Sequence, residues 1–212
     1  MGKINQGVLG GFSGKVGGMI GSSWHGISYM RRKPTSIKNP QTLLQKKQRG
    51  KFPIALAVLK PIKPVVRVGF KHYADRQSEF NAAMSYTLKH AILGEYPDYT
   101  IDYPNLLIAR GTLTGANATS VVAPIGKIKL TWENNSGTGD AQPTDKAIVV
   151  AINPAKGEAA YTTEGAPRSA ETEELQIPPS WSGNEVHIYL AFISEDGTEV
   201  ATSTYCGSVA VG

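Results

Sequence analysis

The stretch EVHIYLAFISEDGTEVATSTYCGSV, Glu185 to Val209, decides the fold class. β-forming residues run through Glu185–Ser194, an Asp196-Gly197 pair follows, and a second alternating run covers Glu199–Val209. Aspartate and glycine tolerate the backbone of a tight turn, so two such runs about this pair read as an antiparallel hairpin. Upstream, short runs at Ala109–Leu113, Lys127–Trp132, Lys146–Asn153, Ala159–Thr163 and Glu173–Ile177 are separated by turn-formers such as Asn134–Asp140 and Pro178-Pro179. Seven short strands over about a hundred residues, with Trp132 early and Tyr189 late, predict an immunoglobulin-like or fibronectin-like β-sandwich over residues 106–212. Trp132 is expected in its core.

The pattern before it is different. Residues 34–95 read as a basic helical segment, and 96–105, which holds Pro97 and Pro104, as a linker. Asn39 caps and Pro40 opens a helix over Gln41–Phe52, with Leu43 and Leu44 inward and Lys46, Lys47, Arg49 and Lys51 outward. Pro53 is expected to end or restart it before a helical Ile54–Leu59, and Pro61 and Pro64 to break the connection to Val65–Val68. A longer helix is expected from an Asp75 cap to Leu93, stopped by Gly94. The predicted class is α+β: an N-terminal β arm or hairpin over 1–33, short helices, then the sandwich.

The arm, GVLGGFSGKVGGMIGSSWHGISYMRR (Gly7–Arg32), admits three readings. A phosphate loop requires G-x-x-x-x-G-K-[ST]; here Gly14-Lys15 is followed by Val16, and the position five before Gly14 is Leu9, so it fails twice. A membrane helix is interrupted by Lys15, and each glycine would cost roughly 1 kcal/mol relative to alanine. Read with period two, Val8, Gly10, Phe12, Gly14, Val16, Gly18, Ile20, Ser22 and Trp24 share one face, alternating large apolar with small. Glycine weakens a strand unless a backbone or ring packs closely on it. The expectation is a β arm with a turn at His25-Gly26 and a second strand through Tyr29, packing through Val8, Phe12, Val16, Ile20, Trp24 and Tyr29 against its own domain or a neighbour.

Charge divides the chain. Residues 1–90 carry 16 Lys and Arg against Asp75 and Glu79, a net of +14, while the remainder carries 6 basic and 15 acidic residues, a net of −9. Such asymmetry suits two partners, or one half of a molecule attracting the other half of a neighbour. Arg31, Arg32, Lys33, Lys46, Lys47, Arg49 and Lys51 are the candidate anion or nucleic-acid contacts, although a solvated basic surface has the same composition.

Function classes narrow by elimination. The single Cys206 excludes an internal disulfide and a cysteine metal cluster. His25, His72, His90 and His187 are scattered, Ser13 and Ser180 lack a nucleophile context, and Glu171, Glu173 and Glu174 read as a solvated strand edge. The loop Asn134–Asp140 lacks the spaced acids of a calcium loop. Neither catalysis, a metal nor a cofactor is expected. No run reaches the roughly 18 apolar residues of a membrane span, and MGKINQG lacks a secretory signal's apolar core. Cytoplasmic synthesis is expected, with a virion or extracellular assembly as an alternative destination.

The N-terminal MGKINQGVLGGFSGKVGGMIGSSWHGISYMRRKP, followed by NPQT, Gln45, Arg49 and Phe52, resembles the signature of an uncharacterised protein family of Bacteroidota, a domain of unknown function. TWENN, PPSWSG and STYCGSV extend the similarity over nearly the whole chain. Tyr29, Arg31, Asn39 to Thr42, Gln45, Arg49 and Phe52 also resemble, more loosely, a segment of phage virion proteins. The first resemblance implies no activity; the second implies an assembly role.

The expected function is therefore a non-enzymatic structural or assembly protein, a homo-oligomer formed through the arm and phage-derived or filament-like. Sequence-independent nucleic-acid binding by the basic half is the alternative, and a surface-protein or glycan-binding sandwich module the third reading.

Overall fold

The computed structural model describes residues 3–4, 10–24, 27–36, 39–75 and 77–212, with Lys3, Ile4 and Trp24 described by backbone alone. It divides into two units, residues 1–42 and 43–212. Among the described residues the strands form four antiparallel sheets and the chain is mostly β with some helices.

Alternation builds the larger unit. Strands β7 (Asn117–Val122), β8 (Lys127–Glu133) and β11 (Thr172–Gln176) form a sheet in the order β11-β8-β7; β9 (Lys146–Asn153), β10 (Glu158–Thr162), β12 (Glu185–Ile193) and β13 (Thr204–Ala210) form another in the order β10-β9-β12-β13. Ile128, Leu130 and Trp132 of β8 share one core with Val149 of β9 and Leu190 and Phe192 of β12. Trp132 meets Phe192 edge to face at 5.6 Å, a favourable aromatic geometry. The two sheets are therefore layered on a common apolar interior, with Trp132 in it as expected.

A second core covers the opposite face of the four-stranded sheet. Helices α1 (Leu43–Leu59), α2 (Lys63–Gly69) and α3 (Glu79–His90) supply Leu59, Val66 and Ala83 to a cluster that also contains Ile148, Val150 and Ile152 of β9 and Tyr189 of β12. A strand buried on both faces needs apolar residues at every position, which is why β9 reads AIVVAI from Ala147 to Ile152. Residues 43–212 thus form one unit in which the helices are a layer on the sheet, and a hairpin of β5 (Ile92–Glu95) and β6 (Asp98–Ile101) crosses much of the stretch expected as a linker.

Several local expectations need correction. α1 continues through Pro53, because its second half is held by burial of Ala55, Val58 and Leu59 and that packing outweighs the lost hydrogen bond. Leu43 and Leu44 are 60% and 79% exposed rather than inward. Leu44 lies on the helix face of the buried Ala55, Val58 and Leu59, but the core stops short of the first turns; Leu43 lies off that face. The third helix starts at Glu79, capped by Ser78, whose Oγ accepts from the Asn81 N–H at 3.2 Å, so Asp75 is not the cap. It ends at His90, and Gly94 belongs to the hairpin instead. Ala109–Leu113 is not a ladder strand: Leu113 makes a single bridge to Ala201, and the Ala109 carbonyl accepts from Ser203. β13 begins at Thr204 instead of Glu199.

The smaller unit is an antiparallel sheet, β1 (Lys3–Ile4), β2 (Phe12–Val16), β3 (Met19–Trp24) and β4 (Ile27–Arg32), in that order. Its glycine run is not one strand. Gly17 and Gly18 form a two-residue turn, with Gly17 at φ +55°, and Val16 pairs with Met19 across it. Adjacent glycines adopt such a turn without a Cβ penalty, which wins over continued extension. The expected His25-Gly26 turn lies outside the described residues.

Candidate self-association surface

Backbone register defines the surface. Lys33 N–H donates to the Gly18 carbonyl at 2.7 Å, and Met19 pairs with Arg32, Ile20 with Arg31, Gly21 with Met30, Ser22 with Tyr29 and Trp24 with Ile27, without a register shift. Hydrogen-bonding direction alternates along an antiparallel strand. Ile27, Tyr29 and Arg31 therefore share the direction of Lys33, toward β3, and Ser28, Met30 and Arg32 point their N–H and C=O groups outward. Among the described residues β4 pairs only with β3, and all six of its residues are exposed. Among the described residues it is an open sheet edge flanked by exposed side chains.

Opposed residues share a face, so the same register distributes the predicted packing residues. Val16 lies in a row with Met19 and Arg32, beside a row containing Gly21 and Met30, and the Phe12 ring rests on Gly21. Gly21 is buried there with no room for a Cβ, which is the close packing that a strand glycine permits. Ile20, Tyr29 and position 24 occupy the other face with Arg31 and Ile27. The turn at Gly17-Gly18 is what separates Phe12 and Val16 from Ile20 and Trp24, which a single strand would have aligned. Val8 and the Trp24 side chain lie outside the described residues. Both faces expose apolar groups: Val16 is 53%, Met19 54%, Met30 65% and Ile27 67% exposed.

The predicted basic residues fall into two sets. Arg31, Arg32 and Lys33 are exposed at the end of β4, with Arg31 and Arg32 on opposite faces. Lys46, Lys47, Arg49 and Lys51 lie on α1 of the other unit, where the Lys51 ammonium sits 5.3 Å from the Tyr99 ring centre. Residues 1–42 contain six Lys and Arg and no Asp or Glu.

Two other features carry packing and polarity without evident chemistry. A cavity of about 440 Å³ between α1, β6 and β9 is lined mainly by apolar side chains such as Ile54, Val58, Ile101 and Ile152, with Thr100, Tyr103 and Asn153 as its polar lining residues. A shallower groove gathers Asp140, Asp145, Asp196 and Glu199, yet Asp140 accepts from Thr114, Asp145 pairs with Arg168, and Asp196 accepts from Ser194 and Thr198. These bonds hold Asp196 at a pKa of about 2, Ser194 contributing most. No group of three or more His, Cys, Asp or Glu suited to a metal occurs among the described residues, and no described helix is long and apolar enough to cross a membrane.

The buried centre that sequence reading missed is Arg168. Its Nη1 donates to Asn135 Oδ1 at 2.7 Å, its Nη2 to the Thr114 carbonyl at 2.9 Å, and its guanidinium lies 3.9 Å from the Phe192 ring centre. No local motif marks it, because its partners come from distant segments.

The shared domain runs from the arm into the last strand: a family model matches residues 11–207. The chain belongs to a family of unknown function, DUF6266. No curated protein and no solved structure is significantly similar to it. Because the DUF6266 match begins at Gly11, the β2–β4 arm is part of the family's domain rather than an appendage to it.

Proposed function

We propose that this DUF6266 protein is a non-enzymatic structural or assembly protein that self-associates through its N-terminal β arm. The observation that carries the reading is the open β4 edge with exposed apolar residues on both faces of its sheet. A small sheet gains most of its stability from covering an apolar face, and an open edge is completed by another strand. The body suits an immunoglobulin-like or fibronectin-like sandwich: β11-β8-β7 layered with β10-β9-β12-β13 gives seven strands in the alternating order of that class. A virion or filament is the setting that such a displayed body and adhesive arm fit.

The test is the solution mass of nuclease-treated protein by light scattering, for the full chain and for a variant lacking residues 1–32. The full chain is expected as an oligomer and the truncated chain as a monomer. Equal masses would remove the reading.

The second reading, sequence-independent binding of a polyanion, is favoured by six basic residues without an acid in 1–42. Absence of a mobility shift with single- and double-stranded DNA and RNA at low salt would exclude it.

A further inference from the structure

We propose that β4 pairs antiparallel with β4 of a second copy about a two-fold axis at Met30, fusing two arm sheets into one. The proposal rests on self-association through the arm and adds the strand, the register and the closed symmetry of the contact.

Symmetry restricts the choices. A two-fold axis perpendicular to a sheet keeps each face on its own side, so residues opposed across the axis must have the same parity. The axis then passes through a residue, not between two. Within Ile27–Arg32, the centres that overlap most of the strand are Tyr29 and Met30.

The outward-pointing groups choose between them. A hydrogen-bonded antiparallel pair exchanges two N–H···O=C bonds. Centred on Tyr29, Ser28 and Met30 bond to the partner's Met30 and the partner's Ser28, giving four bonds and leaving Arg32 outside the pairing. Centred on Met30, the two methionines pair with each other and each Ser28 pairs with an Arg32 across the axis. That gives six bonds and uses every outward N–H and C=O between Ser28 and Arg32.

Side chains favour the same register. Tyr29 then lies directly opposite the partner's Arg31, twice by symmetry, as a close non-hydrogen-bonded pair in which a guanidinium can cover an aromatic ring. Arg32 faces the partner's Ser28, so no two positive charges are directly opposed. Self-complementarity of this kind identifies a second copy as the occupant of the edge. An isologous contact also closes at two subunits, whereas a head-to-tail one would propagate. A larger assembly would then require a contact elsewhere.

The experiment uses the full chain with Cys206→Ser, adding Met30→Cys or Ile27→Cys and a short bis-maleimide cross-linker. Both positions are exposed on the same strand. In the proposed register the two copies of position 30 are about 5.5 Å apart. The two copies of position 27 are roughly 20 Å apart, beyond the linker. Cross-linked dimer is expected at least tenfold faster from Met30→Cys than from Ile27→Cys. Comparable or reversed rates in a chain that still dimerises overturn this register and leave arm-mediated assembly standing. A chain monomeric at 100 µM overturns both.

Met30→Pro supplies an independent readout, because it deletes an outward N–H while leaving the ladder to β3 complete. It is expected to weaken dimerisation at least tenfold with the circular dichroism spectrum unchanged. Undiminished dimerisation of that folded variant counts against the proposal.

Discussion

The Arg168 guanidinium lies 3.0 Å from the Asp145 carboxylate, with the arginine side chain fully buried and the aspartate 1% exposed. A lone charge of either sign would be costly at this depth, and the pair is tolerated because Asn135, Thr114 and Gly115 take the remaining guanidinium protons. The Trp132 indole N–H donates to the Arg168 carbonyl at 2.8 Å, which ties the same residue to the sheet core. Arg168→Ala is expected to destabilise the chain by about 3–5 kcal/mol, since it strands a buried carboxylate. Denaturant titration with an unchanged midpoint would show the network to be dispensable.

The imidazole of His187 stacks on Tyr103 at 3.6 Å and 8°, and its Nδ1 lies 2.9 Å from the Tyr205 hydroxyl. Burial lowers its pKa, opposed by the neighbouring Glu185 carboxylate. The unfolded chain therefore binds a proton more readily than the folded one below the ordinary histidine value of about 6.5. This contribution to stability is complete above that value and diminishes as pH falls from it toward the lower folded pKa. His187→Gln is expected to flatten the stability profile in that interval, as read by thermal denaturation at a series of pH values. An unchanged slope would assign the acid sensitivity to other groups.

Pro53 sits inside α1 with its ring exposed. Proline there denies the helix one hydrogen bond and crowds the preceding turn, without burying anything in return. Pro53→Ala is expected to stabilise the larger unit by about 1–3 kcal/mol, measurable as a higher denaturation midpoint. A loss of stability would mean that the bend imposed by the ring is required for packing Ala55, Val58 and Leu59.

Much of this architecture was legible because burial writes itself into periodicity. β9 has the bounds its sequence predicts, Lys146 to Asn153, as its unbroken apolar run demands a strand with both faces covered. The identity of the second cover was not legible, since nothing in Ala147–Ile152 says that helices supply it. β7 is not legible in the sequence because Asn117-Ala118-Thr119-Ser120 lacks large apolar residues and Ala118 takes a positive φ of 45°, so the alternation fails locally. Arg168 carries no local signal; only the fold brings Thr114, Asn135 and Asp145 to it. In the arm, strand character was readable from Ile27–Arg32, while the Gly17-Gly18 turn was hidden by an alternation that runs straight through it.

Two glycines of the arm separate packing from turn chemistry. Gly21 lies beneath Phe12, where a Cβ would meet both its ring and its backbone carbonyl, whereas a Cβ on Gly18 meets nothing within 4 Å. Gly21→Ala is expected to displace Phe12 and weaken arm-dependent association at least tenfold. Gly18→Ala should leave it within about twofold, because only a modest backbone preference changes. Equal effects in sedimentation equilibrium would show that Phe12 packing on Gly21 does not hold the arm in shape.

Ionic strength separates the two functional readings through opposite signs. Each copy brings six positive charges and no negative one within residues 1–42, so joining two arms is opposed by long-range repulsion even where no like charges face each other. Raising salt shortens the screening length from about 30 Å at 0.01 M to about 10 Å at 0.1 M and relieves that repulsion, while apolar and backbone contacts persist. Arm-mediated dimerisation is therefore expected to tighten severalfold from 0.02 to 0.3 M sodium chloride. Binding to a polyanion releases condensed counterions and must weaken steeply over the same range. Light scattering of nuclease-treated protein, beside a fluorescence titration with single-stranded DNA, reads both slopes. Dimerisation that dissolves with salt would mean that opposite charges make the contact. The acidic C-terminal part of a neighbour, residues 91–212, would then replace the β4 edge as the arm's partner.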